Sequence, residues 1–206
     1  NSNHQQSSLM MEANNSLSHT PPTTWSCYTS EGAAGAGTSN LSLGNNGPRA
    51  IDSYMNDFGE RNDAVGHRRW ILYPPVSVMK TGDTPRSNTL GVMAETRNAH
   101  SDEVISWPTK GFFPKSLLPD SRRWSISKKD ADFANAIVEV KNVSTGRVYS
   151  TVKEPLHNGY GYNTLVFKPT GIENSRTDME IEVTVSNVLV NGAAQTLSYT
   201  VTVINL

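Results

Sequence analysis

The apolar positions change character along the chain. Within residues 6–17, Leu9, Met10, Ala13 and Leu17 recur at helical spacing, which predicts a short amphipathic helix ending before His19. Pro21 and Pro22 forbid its continuation. Residues 29–47 are rich in Gly, Ala, Ser and Asn and read as loop or a loosely held helix. A second helix follows, with Pro48 in its first turn, a stripe of Ala50, Ile51, Tyr54, Met55 and Phe58, and Gly59 as its C-cap. Trp70, Ile71, Leu72 and Tyr73 are expected to be buried, and 89–96 and 104–107 read as strands. Beyond residue 119 the period becomes two. Strand-like runs at 124–127, 136–140, 147–152, 163–167, 179–185 and 196–203 are separated by turn signals such as Ser144-Thr145-Gly146 and Asn191-Gly192.

This change of texture predicts an α+β chain in three parts: a mixed domain at 1–107, a Pro- and Gly-containing linker at 108–123, and a β-sandwich of immunoglobulin-like type at 124–206. Composition then narrows the function. A net charge of −1 leaves no basic surplus for nucleic acid. No apolar run reaches the ~18–20 residues of a membrane-spanning helix. The single cysteine, Cys27, allows no internal disulfide and reads as a small buried hydrophobe. The abundance of Asn, Ser and Thr, with the β-module, leans towards a secreted protein whose leader has been removed.

Chemistry rests on few residues. His19 follows the first helix, His67 lies in VGHRRWILYP, and Asp57 lies near the end of the second helix. Two imidazoles and a carboxylate suit a divalent transition metal, although their spacing is no compact motif. His4, His100 and His157 read as surface groups among polar neighbours. Asp52, Asp57, Glu60 and Asp63 form an acidic cluster expected to pair with Arg61, Arg68 and Arg69.

The segments LSHTPP (17–22), TSNLSLG (38–44), AIDSYMNDFG (50–59) and GHRRWILYP (66–74) together resemble the CAP superfamily of cysteine-rich secretory, antigen 5 and pathogenesis-related proteins, in its bacterial secreted form. The resemblance covers about residues 5–107. It implies an α-β-α sandwich, here without the usual first helix, and a cleft that in the family holds two histidines and two acids. By this resemblance His19 and His67 match the two histidines. Tyr54-Met55-Asn56-Asp57 stands where the family has W-x-x-E, so Asp57 takes the place of one glutamate. Thr38-Ser39-Asn40 stands where the family has G-E-N, so Ser39 replaces the other. The implied cleft residues are His19, Ser39, Asn40, Asp57 and His67. The implied metal ligands are His19, His67 and Asp57, holding an ion such as zinc weakly because a hydroxyl replaces a carboxylate.

Three functions compete. The first is an extracellular binding module for a peptide, lipid or glycan, with Tyr28, Tyr54, Trp70 and Tyr73 as aromatic walls. The second is a metal-assisted, peptidase-like hydrolase using His19, His67 and Asp57, with Glu60 as the nearest spare base. The third is a hydrolase with Ser39 as nucleophile, which lacks the flanking glycines of a nucleophile elbow. The binding module is favoured, because Ser39 removes the carboxylate most useful for ligation or proton transfer.

Overall fold

The computed structural model describes residues 2–98, 102–172 and 175–206. Its contacts divide the chain into two compact units, Asn1–Met55 with Tyr73–Ala99, and Asn56–Leu72 with His100–Leu206. Helices and antiparallel sheets are mixed, as an α+β chain requires, with one parallel strand pair. The GHRRWIL stretch therefore belongs to the same unit as the β-module.

The first unit holds α1 (Ser2–Ala13), α2 (Ser30–Gly37), β1 (Ser39–Leu43), α3 (Gly47–Asn56, its last residue counted with the second unit), β2 (Val76–Thr84) and β3 (Ser87–Thr96). The strands form one antiparallel sheet in the order β1-β3-β2. The expected strand at 89–96 is β3. Nothing in VSVMKTGDT announced β2, whose ladder shifts register twice and leaves Val78 and Met79 exposed.

Helix α1 starts earlier than the apolar spacing suggests, and Leu9 and Leu17 are exposed. Its buried face is His4, Ser7, Ser8, Met10 and Met11. Close approach to the sheet explains this choice of residues. A Cβ on Gly82 would lie 2.2 Å from Gln5 N, and one on Gly91 would lie 2.2 Å from His4 Nε2. Large aliphatic side chains do not fit there, while Ser8 Oγ donates to Gly82 O at 2.7 Å. Helix α2 occupies part of the stretch that read as loop. Thr29 caps it by accepting from Gly32 N, and its Gly35 meets the backbone of Asn3, where a Cβ would lie 2.7 Å from the carbonyl oxygen.

Helix α3 begins around Pro48 as expected and buries Ala50 and Tyr54, but Phe58 lies beyond its end and is exposed. Asp57, not Gly59, takes the left-handed position that stops the helix, with φ 49°.

The second unit opens with a 3-10 turn at Glu60–Asn62 and α4 (Gly66–Ile71). Two sheets follow. One has the order β4-β6-β10-β9, built from β4 (Ile105–Trp107), β6 (Trp124–Ser127), β10 (Thr164–Pro169) and β9 (Thr151–Lys153). The other has β5 (Gly111–Pro114) beside β12 (Ala193–Ile204), then β11 (Met179–Val190), whose far edge carries β7 (Ala131–Asp132) and β8 (Ile137–Asn142). Side chains of both sheets, among them Trp124, Ile126, Leu165 and Phe167 facing Ile181, Val183, Val201 and Val203, share one apolar core. The hairpin between β11 and β12 turns at Asn191 and Gly192, both at positive φ, as the Asn-Gly signal predicts. The stretch expected to link the domains, 108–123, contributes β5, because Phe113 is 3 % exposed in the core and the strand is short enough to end at Pro114.

Within α4 the interior is taken by Arg68, 0 % exposed, and Arg69, 5 % exposed. Trp70, Ile71, Leu72 and Tyr73 are half-buried. Cys27 is exposed, correcting its reading as a buried hydrophobe; it sits at φ 59° in a surface turn. His4 is buried and His157 half-buried, while His100 lies outside the described residues.

Candidate functional site

Asp57 and His67 meet within the second unit. The left-handed backbone at Asp57 turns its carboxylate back towards the start of α4. One oxygen, Oδ1, accepts from His67 Nδ1 at 2.8 Å. The other, Oδ2, accepts from the backbone N–H of His67 at 3.0 Å and of Arg68 at 3.4 Å. These are two of the amides that a helix N-terminus leaves without an internal partner, and Val65, at the capping position, supplies no side-chain bond. One carboxylate thus caps α4 and fixes an imidazole. Its side chain has 0 % exposure, against 32 % for His67.

A carboxylate can only accept, so Nδ1 of His67 carries the proton and the neutral ring has its lone pair on Nε2. His19, in the first unit, is set the same way. Its Nδ1 lies 2.9 Å from the carbonyl oxygen of Ala36, also a pure acceptor, and the residue is exposed. Both rings have the Nδ1-anchored arrangement typical of metal-ligating or proton-transferring imidazoles.

The remaining cleft candidates are interior groups. Ser39, 2 % exposed, donates its hydroxyl to Gly35 O, which occupies the proton a nucleophile would lose. Asn40 is 2 % exposed, and its carbonyl lies 3.2 Å from the Tyr54 hydroxyl. Tyr54 is itself 3 % exposed and bonds Asn88 Oδ1 at 2.8 Å, so it serves the core and not a cleft wall. Burial pushes its hydroxyl far above the usual phenol range. Glu60 is exposed in the 3-10 turn.

The basic residues around His67 behave differently from the expected surface ion pairs. Arg68 donates to Arg123 O at 2.8 Å, Asn56 O at 3.1 Å and Ser125 Oγ at 3.3 Å. Burial lowers its guanidinium to about 9, opposed by nearby Asp57 and helped by Arg123. Arg123 donates to Gly59 O at 2.7 Å and Asp57 O at 3.4 Å, and its Nε bonds Glu154 Oε1 at 2.9 Å. Lys168 joins the same Glu154 oxygen at 2.9 Å. Arg69 holds the 157–162 loop through His157 O and Tyr162 O and stands over the Tyr160 ring, 5.3 Å from its centroid. That ring leaves no room for a side chain at Gly66, and His157 Nε2 lies 3.1 Å from Asp63 Oδ2.

Sequence reasoning named His67 and Asp57, which the structure brings together, and did not name Arg123 or Glu154. Arg123 stands in SRRW just before β6, and Glu154 is 31 positions away along the chain. Among the described residues no group of three or more His, Cys, Asp or Glu side chains is placed to hold a metal ion. No described helix is long and apolar enough to cross a membrane. Compared with protein-family models, with curated proteins and with solved structures, the chain matches none.

Proposed function

We propose that the protein is a secreted binding module of CAP-like type, whose His67 imidazole makes a directional contact with an extracellular peptide, lipid or glycan. The observation that carries this reading is the buried Asp57 carboxylate bonded to His67 Nδ1 at 2.8 Å. It fixes the ring and its tautomer in a partly exposed side chain, which is how a scaffold presents one hydrogen-bonding atom to a ligand. The interior position of Ser39 supports binding over serine chemistry.

The second unit supports the immunoglobulin-like part of the reading. Lettering β4, β5, β6, β8, β9, β10, β11 and β12 as A, A′, B, C, D, E, F and G gives one sheet of order A-B-E-D and another of order A′-G-F-C. That pair of strand orders is the one expected of an immunoglobulin-like sandwich and supports the reading, with a single cysteine in place of the usual disulfide pair.

A metal-assisted hydrolase is the second reading, favoured by one observation: the His67 ring is anchored through Nδ1 to a carboxylate, the arrangement that orients metal-ligating imidazoles. In that case Asp57 orients His67 and is not itself a ligand, since both its oxygens already accept N–H groups. An ion bound there would make hydroxide available near neutral pH. Zinc titration of the parent, His19→Ala and His67→Ala proteins separates the readings. Equal, weak binding by all three supports the binding module. Tight binding by the parent alone, with chelator-sensitive peptidase turnover, supports the hydrolase. The binding reading itself is tested by adding a mixed tetrapeptide library, phosphatidylglycerol vesicles and soluble cell-wall glycan fragments to histidine-labelled protein. One class should shift the His67 ring signals and be recovered intact. No shift with any of them contradicts it.

A further inference from the structure

We propose that Arg123 and Glu154, on the β-module, are positioning residues for the His67 imidazole, so that the sandwich is a working part of the site and not a spacer. The inference rests on the Asp57–His67 reading above and extends it to residues that touch neither ring.

The argument starts from backbone strain. Asp57 sits at φ 49° and Gly59 at φ 98°. For a residue with a side chain the left-handed region costs roughly 1 kcal/mol, so the turn persists only where its surroundings hold it. Arg123 supplies that hold. Its Nη1 donates to the carbonyls of Gly59 and Asp57, one at each end of the turn. With two carbonyls tied to one planar guanidinium, the direction of the Asp57 carboxylate is set by where Arg123 lies.

Arg123 is in turn fixed from two sides. Its Nε bonds Glu154 Oε1, and Lys168 bonds the same oxygen, so the carboxylate is pinned between two cations, one just before β6 and one on the neighbouring β10. Burial alone would raise the Glu154 carboxyl, but Lys168 and Arg123 outweigh it and hold it below the usual range. From the other side, the Arg123 carbonyl accepts from Arg68, which follows His67 directly. The ring closes: Glu154 places Arg123, Arg123 places the Asp57 turn, Asp57 places His67, and Arg68 ties α4 back to Arg123. Arg68, Arg123 and Asp57 are each at most 7 % exposed, so water does not soften these bonds. A role in stability alone would need no bonds to both carbonyls of a strained turn bearing the oriented carboxylate.

The test is the tautomer of His67, read from ring-nitrogen shifts in the full chain labelled on histidine. The variants are Arg123→Met, Arg123→Lys and Glu154→Gln, with Asp57→Asn as the direct control. His19, anchored to Ala36 in the other unit, serves as the internal reference. Arg123→Met and Glu154→Gln should each lower the Nδ1–H to Nε2–H ratio of His67 by about tenfold, the worth of one charge-assisted hydrogen bond, with His19 unchanged. Arg123→Lys, which restores charge but not the two-carbonyl grip, should recover only part of the ratio. If Arg123→Met does not fold, Glu154→Gln decides. An unchanged His67 ratio in folded Glu154→Gln and Arg123→Met, alongside a changed one in Asp57→Asn, overturns the proposal while sparing the dyad. An unchanged ratio in Asp57→Asn as well overturns the dyad itself.

Discussion

His67 receives its orientation from Asp57, a residue ten positions earlier whose carboxylate also accepts the backbone N–H groups of His67 and Arg68. The pairing makes Asp57 a sensitive position of the second unit. Asp57→Ala removes a buried carboxylate beside the fully buried Arg68 guanidinium and leaves two α4 amides unpaired. The second unit should lose about 3 kcal/mol of stability, measured by urea denaturation, since breaking a buried charge arrangement from one side is far costlier than removing it whole. A loss below about 1 kcal/mol would mean that water replaces the carboxylate freely.

His4 predicts an acid sensitivity in the first unit. The ring is 4 % exposed and both its nitrogens lack a partner among the described residues. Burial holds its pKa below the ordinary 6.5, helped by the positive charge of Lys80 on β2. The unfolded chain therefore binds the proton more readily than the folded one. Stability is full above about pH 6.5 and falls as the pH drops from there towards the lower folded value. His4→Met, which fills similar space without titrating, should flatten the pH dependence between 6.5 and 5 in thermal melts of the first unit. An equal slope in parent and variant would assign the acid sensitivity elsewhere.

The seating of α1 on its sheet predicts that Gly91 tolerates no side chain. A Cβ there would stand 2.2 Å from His4 Nε2, so Gly91→Ala must displace the helix or the ring. A cost of at least about 2 kcal/mol is expected, with faster amide exchange across α1. Gly44→Ala is the contrast, because nothing lies within 4 Å of its Cβ and only its positive φ opposes the change.

Ser39 was expected to stand where a ligating glutamate would restore metal affinity. Its burial and its bond to Gly35 O lead to a different prediction. Ser39→Glu places a carboxylate in an interior position that is 2 % exposed. It should destabilise the first unit by about 3 kcal/mol while leaving zinc affinity unchanged in the folded fraction. A gain in zinc affinity with stability intact would restore the residue to a metal site.

The sequence made some of this legible and hid the rest for physical reasons. The β-module strands were readable because β11 alternates buried and exposed residues through Ile181, Val183 and Val185, and Asn191-Gly192 marks its hairpin. Helix α1 was misread in its facing, because spacing rules weigh leucines, and here serines and a histidine pack against glycines while Leu9 faces outward. At α4 the same rule favoured Trp70, Ile71, Leu72 and Tyr73, although the interior takes two arginines whose charges are met by carbonyl oxygens. His67 and Asp57 were found by residue type. Their bond depends on a left-handed turn at a non-glycine residue and on Arg123, which no local pattern encodes.

The ring nitrogens of His67 in the parent protein test the account most directly. Long-range proton–nitrogen spectra of the neutral ring should show the proton on Nδ1, with Nε2 bearing the lone pair. A ring protonated at Nε2, or one averaging between the two forms as a free imidazole does, would contradict the Asp57 bond and the functional reading built on it.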